Sequence, residues 1–398
     1  MRGSYPLKRG WYFNFPKIYW RPPFYGIACM QQIMEVCQYK KPRMKKIALV
    51  FFSITLSLHC SFAQTKPIEL PWNPRAIAID SKDNLYIEFE RMLMKITPDG
   101  VSSYVSENIA SGFRGAVSPD CEIMVADSED NIYMTKPYMN SIWKLTPEGK
   151  FTIHAAEERY SNAWAEPAKK PIELGQIEFM AIDNKNNIYF SASLNGEERI
   201  NQLATSSFHK LTPEGELITF NDKNGDKIKL NQVDGIGVDS VGNLYVSNVK
   251  ERCIKKITAE GEVVVVAGQC GKRDFCPVYS QGDVSKAELV QPGPIVFNKK
   301  GELFFADHRM NRIIKVANNK VTTIAGASQI QPCGSNMGGR SREGYKDGNA
   351  LDALFDFPSR VRIAIDSKDN IYILDGGNYA IRKLTPSGIV STIAKTKK

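Results

Sequence analysis

The chain has 398 residues, with 52 Lys and Arg against 43 Asp and Glu, a formal net charge of +9. That excess sits in residues 1–46, which hold ten basic side chains and one acid, Glu35, so the remainder is neutral. A neutral body has no long-range field for a phosphate backbone, which argues against a nucleic-acid partner.

Residues 1–43 are rich in Arg, Lys, Trp, Tyr and Pro and carry no strand or helix period. Met44 then opens MKKIALVFFSITLSLHCSFAQ, a basic n-region, an apolar h-region and Ser61-Phe62-Ala63 as a small-x-small cleavage site before Gln64. Residues 44–63 read as a secretory signal peptide, and 1–43 as a basic pre-sequence from an over-extended start. Were 1–43 a true extension, the 17 residues 47–63 would form a signal anchor, short for a span. Cys60 follows His59 and lacks the small preceding residue of a lipidation site. The expectation is export to the periplasm or beyond, with no membrane span after cleavage.

Export places the cysteines in an oxidising compartment. Five follow the leader, Cys121, Cys253, Cys270, Cys276 and Cys333, so at least one is unpaired within the chain. Cys270 and Cys276 share the loop CGKRDFC and are the first choice for a disulfide. Cys270–Cys333 is the rival, and free thiols stay open as well. Cys-x5-Cys without a neighbouring His is not a zinc pattern.

The rest of the chain, from residue 64 on, is organised by a repeat. A polar turn and the strand after it recur as DSKDNLY at Asp80, DSEDNIY at Asp127, DNKNNIY at Asp183, DSVGNLY at Asp239, NKKGELF at Asn298 and DSKDNIY at Asp366. Asp and Asn cap their own backbone in such turns and tolerate left-handed dihedrals. A second turn follows as KITPDG, KLTPEG, KLTPEG, KITAEG, KVANNK and KLTPSG, with Pro fixing φ and Gly free at positive φ in the full copies. In the last copy, Val361–Ile365, Ile371–Leu374, Ile381–Leu384 and Ile389–Ile393 alternate as four short strands. The aromatic after the first turn, Tyr86, Tyr133, Tyr189, Tyr245, Phe304 and Tyr372, is spaced by 47, 56, 56, 59 and 68 residues. Periods of this length with four strands each predict an all-β fold, a six-bladed β-propeller with four antiparallel strands per blade.

These residues resemble the NHL repeat. Asp-x-x-Gly/Asp-Asn-Leu-Tyr, the Ile-x-Lys strand and x-Pro-x-Gly carry the resemblance. Val321-Thr-Thr-Ile-Ala-Gly, with Asp347-Gly-Asn-Ala and Phe355-Asp-Phe-Pro, resembles its bacterial secreted form. The resemblance runs from about Pro71 to Ala394. It implies the fold; propellers host enzymes and binding platforms alike, so it does not choose between them.

With strands lettered a to d from the axis outward, turns a–b and c–d lie on one face of the disc and are short. The length variation falls on the other face, in the d–a connections 157–176, 268–292 and 326–358 and the b–c connection 191–208. Long loops in a compact domain concentrate function, so this is the expected partner face. Tyr160 and Trp164 are its contact aromatics.

Strand a lines the axial channel. Its mouth position, five before the turn residue, is Arg75, Glu122, Glu178, Asp234, Gly293 and Val361, the last flanked by Arg360 and Arg362. Glu122, Glu178 and Asp234 could converge on a divalent cation such as calcium; they read equally as solvated strand ends. Propeller lactonases of the gluconolactonase type hold such an axial metal, but the likeness to them stays at the level of the fold. His154, His209 and His308 occupy different repeat positions, so no two need converge, and each reads as a surface or turn residue. Asn248, Asp307 and Asp375 share the end of strand b and read as caps. The leading expectation is a non-catalytic platform for a protein, peptide or glycan, with no cofactor. The alternative is a metal-dependent hydrolase or lyase at the axial mouth.

Overall fold

The structure, a computed structural model, describes residues 66–90, 92–106, 121–135, 140–157, 172–193, 205–271, 280–327, 343–357 and 361–397. The expected signal segment, Tyr160, Trp164, Arg360, Cys276 and Cys333 lie outside the described residues. From Lys66 onward the chain is one compact unit. Its six sheets each run a to d in chain order with antiparallel neighbours, from Ala76–Ile79 through Ser102–Ser106 in blade 1 to Arg362–Ile365 through Ile389–Thr396 in blade 6. The six strands a touch in a closed ring, each against the next and the sixth against the first. Six apolar clusters fill the spaces between adjacent blades. Among the described residues no helix is long and apolar enough to cross a membrane.

Local chemistry explains the repeat. In blade 1, Asp80 Oδ1 accepts from the backbone N–H of Lys82 and Asn84, and Oδ2 accepts from Asn84 Nδ2 and Tyr86 Oη. The same set is built on Asp127, Asp183, Asp239 and Asp366. One carboxylate thus closes the turn and fixes the tyrosine of strand b. The turn's fourth residue is left-handed, Asp83, Asp130, Asn186 and Asp369 at φ 63–65° and Gly242 and Gly301 elsewhere. The repeated lysine of strand c lies across that aromatic, as with Lys383 over Tyr372 at 5.2 Å. It is therefore a ring partner as well as a surface charge.

The left-handed residues also tie blade to blade. Ser81 donates to Asp130, Ser128 to Asn186, Asn298 to Asp369, and Ser367 through N and Oγ to Asp83 at 2.7 Å each. The last bond joins blade 6 to blade 1 and closes the ring.

The outer edges were only partly expected. Strand Ile68–Leu70 adds in parallel outside Ile389–Thr396. Two long d–a connections are not plain loops. Gly282–Asp283 pairs with strand d of blade 5, and Gly348–Asn349 with strand d of blade 6. A hairpin at 220–231, unremarked in the sequence, folds back so that Lys229–Asn231 pairs with strand c of blade 3. In blade 6 this periphery buries Arg382 fully, between Asp347 (2.6 Å) and Asp375 (2.8 Å), with Tyr345 and Phe355 on its faces.

The disulfide is Cys253–Cys270, with Cα atoms 5.2 Å apart, not Cys270–Cys276 or Cys270–Cys333. The register explains this. Ile254 faces Ala267, so Cys253 lies opposite the chain just beyond strand d, where Cys270 sits. Cys121 is a buried free thiol whose pKa is pushed up by burial and the nearby Glu88.

Candidate binding site at the axial mouth

Strand a is the inner edge of every sheet, so its unpaired backbone groups line the axis. The channel they enclose is about 300 Å³, and Arg362 is the one charged side chain among the described residues that line it. At its mouth, on the b–c and d–a face, the regular ladder breaks in three consecutive blades. Glu178 is an extra residue between Ile177 and Phe179, which pair with Ala192 and Ser191. Asp234 is extra between Val233 and Gly235, and Gly293-Pro294 together oppose Ala306. A bulge re-aims a side chain out of the strand's alternation. The mouth positions read from the repeat in blades 3, 4 and 5 are these bulges.

Blade 5 fills its place indirectly. A Cβ at Gly293 would lie 2.1 Å from His308 Nε2, so the missing side chain makes room for an imidazole arriving from the end of strand b. Gly235 has the same purpose on the other side, since its Cβ would lie 2.5 Å from the Gly293 carbonyl oxygen. Blades 4 and 5 thereby close until His308 Nδ1 stands 3.5 Å from Asp234 Oδ2. His308 is 3% exposed, and neither ring nitrogen has a hydrogen-bond partner among the described residues. Burial and the Arg362 cation push its pKa down to about 4. Burial pushes the Asp234 carboxyl up to about 7, against the pull of Arg362 and a hydrogen bond with Gln291. His308 is a turn residue, as one half of the expectation had it, but it is buried and not at the surface.

Arg362 reaches across the mouth. From blade 6 its Nε donates to the Glu122 carbonyl oxygen in blade 2 at 3.1 Å, and its guanidinium lies 5.9 Å from the Phe179 ring centre in blade 3. A second bond, Nη1 to the Val361 carbonyl oxygen, anchors it at home. Glu178 accepts from Ser206 Oγ at 2.5 Å, and Arg75 pairs with Glu90 at 3.6 Å.

The other two histidines do not join them. His209 is buried in blade 3 between Ser207 and Thr219, and His154 stands edge-on to Tyr133 in blade 2. Asp307 caps its turn as expected, through the Met310 N–H. Asp375 makes no side-chain cap on the backbone of the turn after strand b and accepts from Asn378 Nδ2 there instead. Both reach further. Asp307 accepts from the backbone of Val290, Gln291 and Met310, and Asp375 from that of Asp356, so each also holds the chain entering strand a. Glu122, Glu178 and Asp234 are not drawn together as a set of three in this structure. Among the described residues, ligand atoms from three His, Cys, Asp or Glu residues gather only at Glu251, Cys253 and Cys270, where the two sulfurs are bonded to each other.

Residues 256–385 match the sequence family described as the Teneurin NHL domain. No curated protein matches the chain. Among solved structures, a protein of unknown function from Bacteroides thetaiotaomicron shares 17% identity at a TM-score of 0.54, covering 80% of this chain and 70% of its own. An auxiliary nutrient binding protein from the same organism shares 18% at 0.51, covering 81% and 69%. One from Bacteroides ovatus shares 17% at 0.51, covering 82% and 70%. At these identities the likeness is one of fold.

Proposed function

We propose that this chain, a six-bladed propeller of NHL-type repeats, is an exported, non-catalytic binding platform. Its working surface is the b–c and d–a face, and the partner is a protein, peptide or glycan whose contact group enters the axial mouth. One observation carries the reading: the blades differ from their shared repeat where Asp234, His308 and Arg362 meet, with Glu178 on the neighbouring bulge. Repeated residues hold the blade, so charged residues that break the repeat and share one opening are candidates for recognition. Export is supported by the signal-like segment 44–63 and by Cys253–Cys270, a pairing suited to an oxidising compartment.

The test is a screen of the purified protein against peptide and glycan arrays, repeated with Glu178→Gln and Asp234→Asn. The reading expects ligands whose capture drops with both variants while the fold is kept. Binders indifferent to both would contradict it.

The metal-dependent hydrolase or lyase reading finds less support. An Arg362 cation spans the mouth where calcium would need oxygen ligands, and Asp234 prefers its neutral form up to about pH 7.

A further inference from the structure

We propose that two copies of this chain pair through strand d of blade 4, Val263–Ala267, in an antiparallel two-fold dimer. The inference is independent of the axial mouth and of the platform reading.

Strand d is the outer strand of each blade, and an open edge offers unpaired N–H and C=O groups to another strand. Most blades blunt theirs. In blade 6 it is covered by Ile68–Leu70 and Gly348–Asn349. In blade 5 it is covered by Gly282–Asp283, and Gln281 Oε1 accepts from the Thr323 N–H. Strand d of blade 3 is three residues long, that of blade 1 reads SSYVS, and no residue of it is exposed in blade 2. Blade 4 differs. Its sheet has four strands, and Val263, Val264 and Val265 stand 41%, 40% and 49% exposed in succession. Valine suits strand pairing, and no charge or proline interrupts the three.

The backbone is ready for a partner. The Glu262 carbonyl accepts from the Thr258 N–H, so its polar groups face inward to strand c. Alternation turns Val264 inward as well, opposite Lys256, and turns the N–H and C=O of Val263 and Val265 outward. Among the described residues these outward groups meet no other strand. A two-fold axis through Val264 satisfies them. Val263 of each copy then exchanges both backbone bonds with Val265 of the other, and the two Val264 side chains meet on the axis.

Charge favours a second copy as the occupant. Glu260 and Glu262 are exposed at the start of the strand. Lys286 is exposed beside its end, where the Lys286 carbonyl accepts from Gln269 Nε2 at 2.7 Å. Lys286 acts on the nearby Asp283 carboxylate but forms no ion pair with it among the described residues. In the two-fold register Glu262 lies opposite Val266 of the other copy, and Glu260 opposite Gly268, next to Gln269 and Lys286. The acidic start of each strand thus approaches the basic end of its counterpart, an attraction that the symmetry repeats.

The experiment is sedimentation equilibrium of the full-length protein from low to high micromolar concentration. The expected result is a monomer–dimer equilibrium. Val264→Lys places two ammonium groups on the axis and should weaken association by roughly tenfold or more. Glu262→Lys and Lys286→Glu should each weaken it, and the two together should restore it. Val264→Cys should cross-link two copies on mild oxidation, whereas Val263→Cys should cross-link with Val265→Cys and not with itself. These positions are exposed, and if one variant does not fold the others still decide. A monomer at every concentration overturns the proposal. So does a dimer as tight in Val264→Lys as in the parent, or a Val264→Cys variant that stays uncross-linked. A monomer that instead captures an extended peptide along Val263–Val265 gives the edge to a different strand and also overturns it. None of these failures bears on the axial mouth, which the ligand arrays test separately.

Discussion

His308 and Asp234, on neighbouring blades, face each other at 3.5 Å because Gly293 leaves the space that the imidazole fills. Gly293→Ala should therefore destabilise the protein by about 1–3 kcal/mol, the usual cost of an overpacked core. Placed on a His308→Ala background, the same substitution should cost little. A double-mutant cycle in urea measures the difference. Additive costs would mean that Gly293 is needed for the backbone and not for the ring.

Titration separates the two partners. The folded pKa of His308 is lowered to about 4, so its contribution to stability is present above the unfolded value near 6.5 and is lost as pH falls towards 4. That of Asp234 is raised to about 7, so its contribution is present below the unfolded value near 3.8 and is lost as pH rises through 7. Arg362, Gln291 and Asp307 are the other groups that act on Asp234. Relative to the parent, Asp234→Asn should gain stability between pH 4.5 and 8, and His308→Gln should gain it as pH falls over the same range. Urea midpoints give both slopes; curves parallel to the parent's would refute the assignment.

Arg382 lies at the other extreme, fully buried and fully bonded. It donates to Asp347, Asp375 and the carbonyl oxygens of Leu354 and Lys346. Arg382→Met leaves two carboxylates without their cation and should cost about 3–5 kcal/mol. Arg382→Met with Asp347→Asn and Asp375→Asn should recover part of it. A loss under 1 kcal/mol would mean that water replaces the guanidinium.

Peptide mapping without reductant should yield one fragment joining Cys253 to Cys270. Reducing this link, which closes a separation of 17 residues, should lower stability by about 3 kcal/mol. A fragment joining Cys270 to Cys276 would restore the pairing that the sequence suggested first.

The blades were legible because their information is local and repeated. Asp80 and its counterparts bond within six residues, so a turn motif and a fixed distance to tyrosine carry the geometry. The repeat register also gave Glu178 and Asp234 as mouth positions. What it hid lies out of register. His308 arrives from strand b, and the sign was Gly293, the residue without a side chain in a series whose first four members are charged. Cys253 reads as an ordinary residue of strand c until the strands are paired. Arg382 reads as a surface charge because the segment that buries it, 343–357, belongs to a long connection with no visible strand period.

The most direct test follows the imidazole of His308 by nitrogen-15 NMR while a ligand identified on the peptide or glycan arrays is added. The account predicts that the His308 signals shift on binding, that His154 and His209 stay in place, and that Asp234→Asn abolishes the shift. A ligand that binds tightly without moving His308 would contradict the central claim that the axial mouth is the binding site.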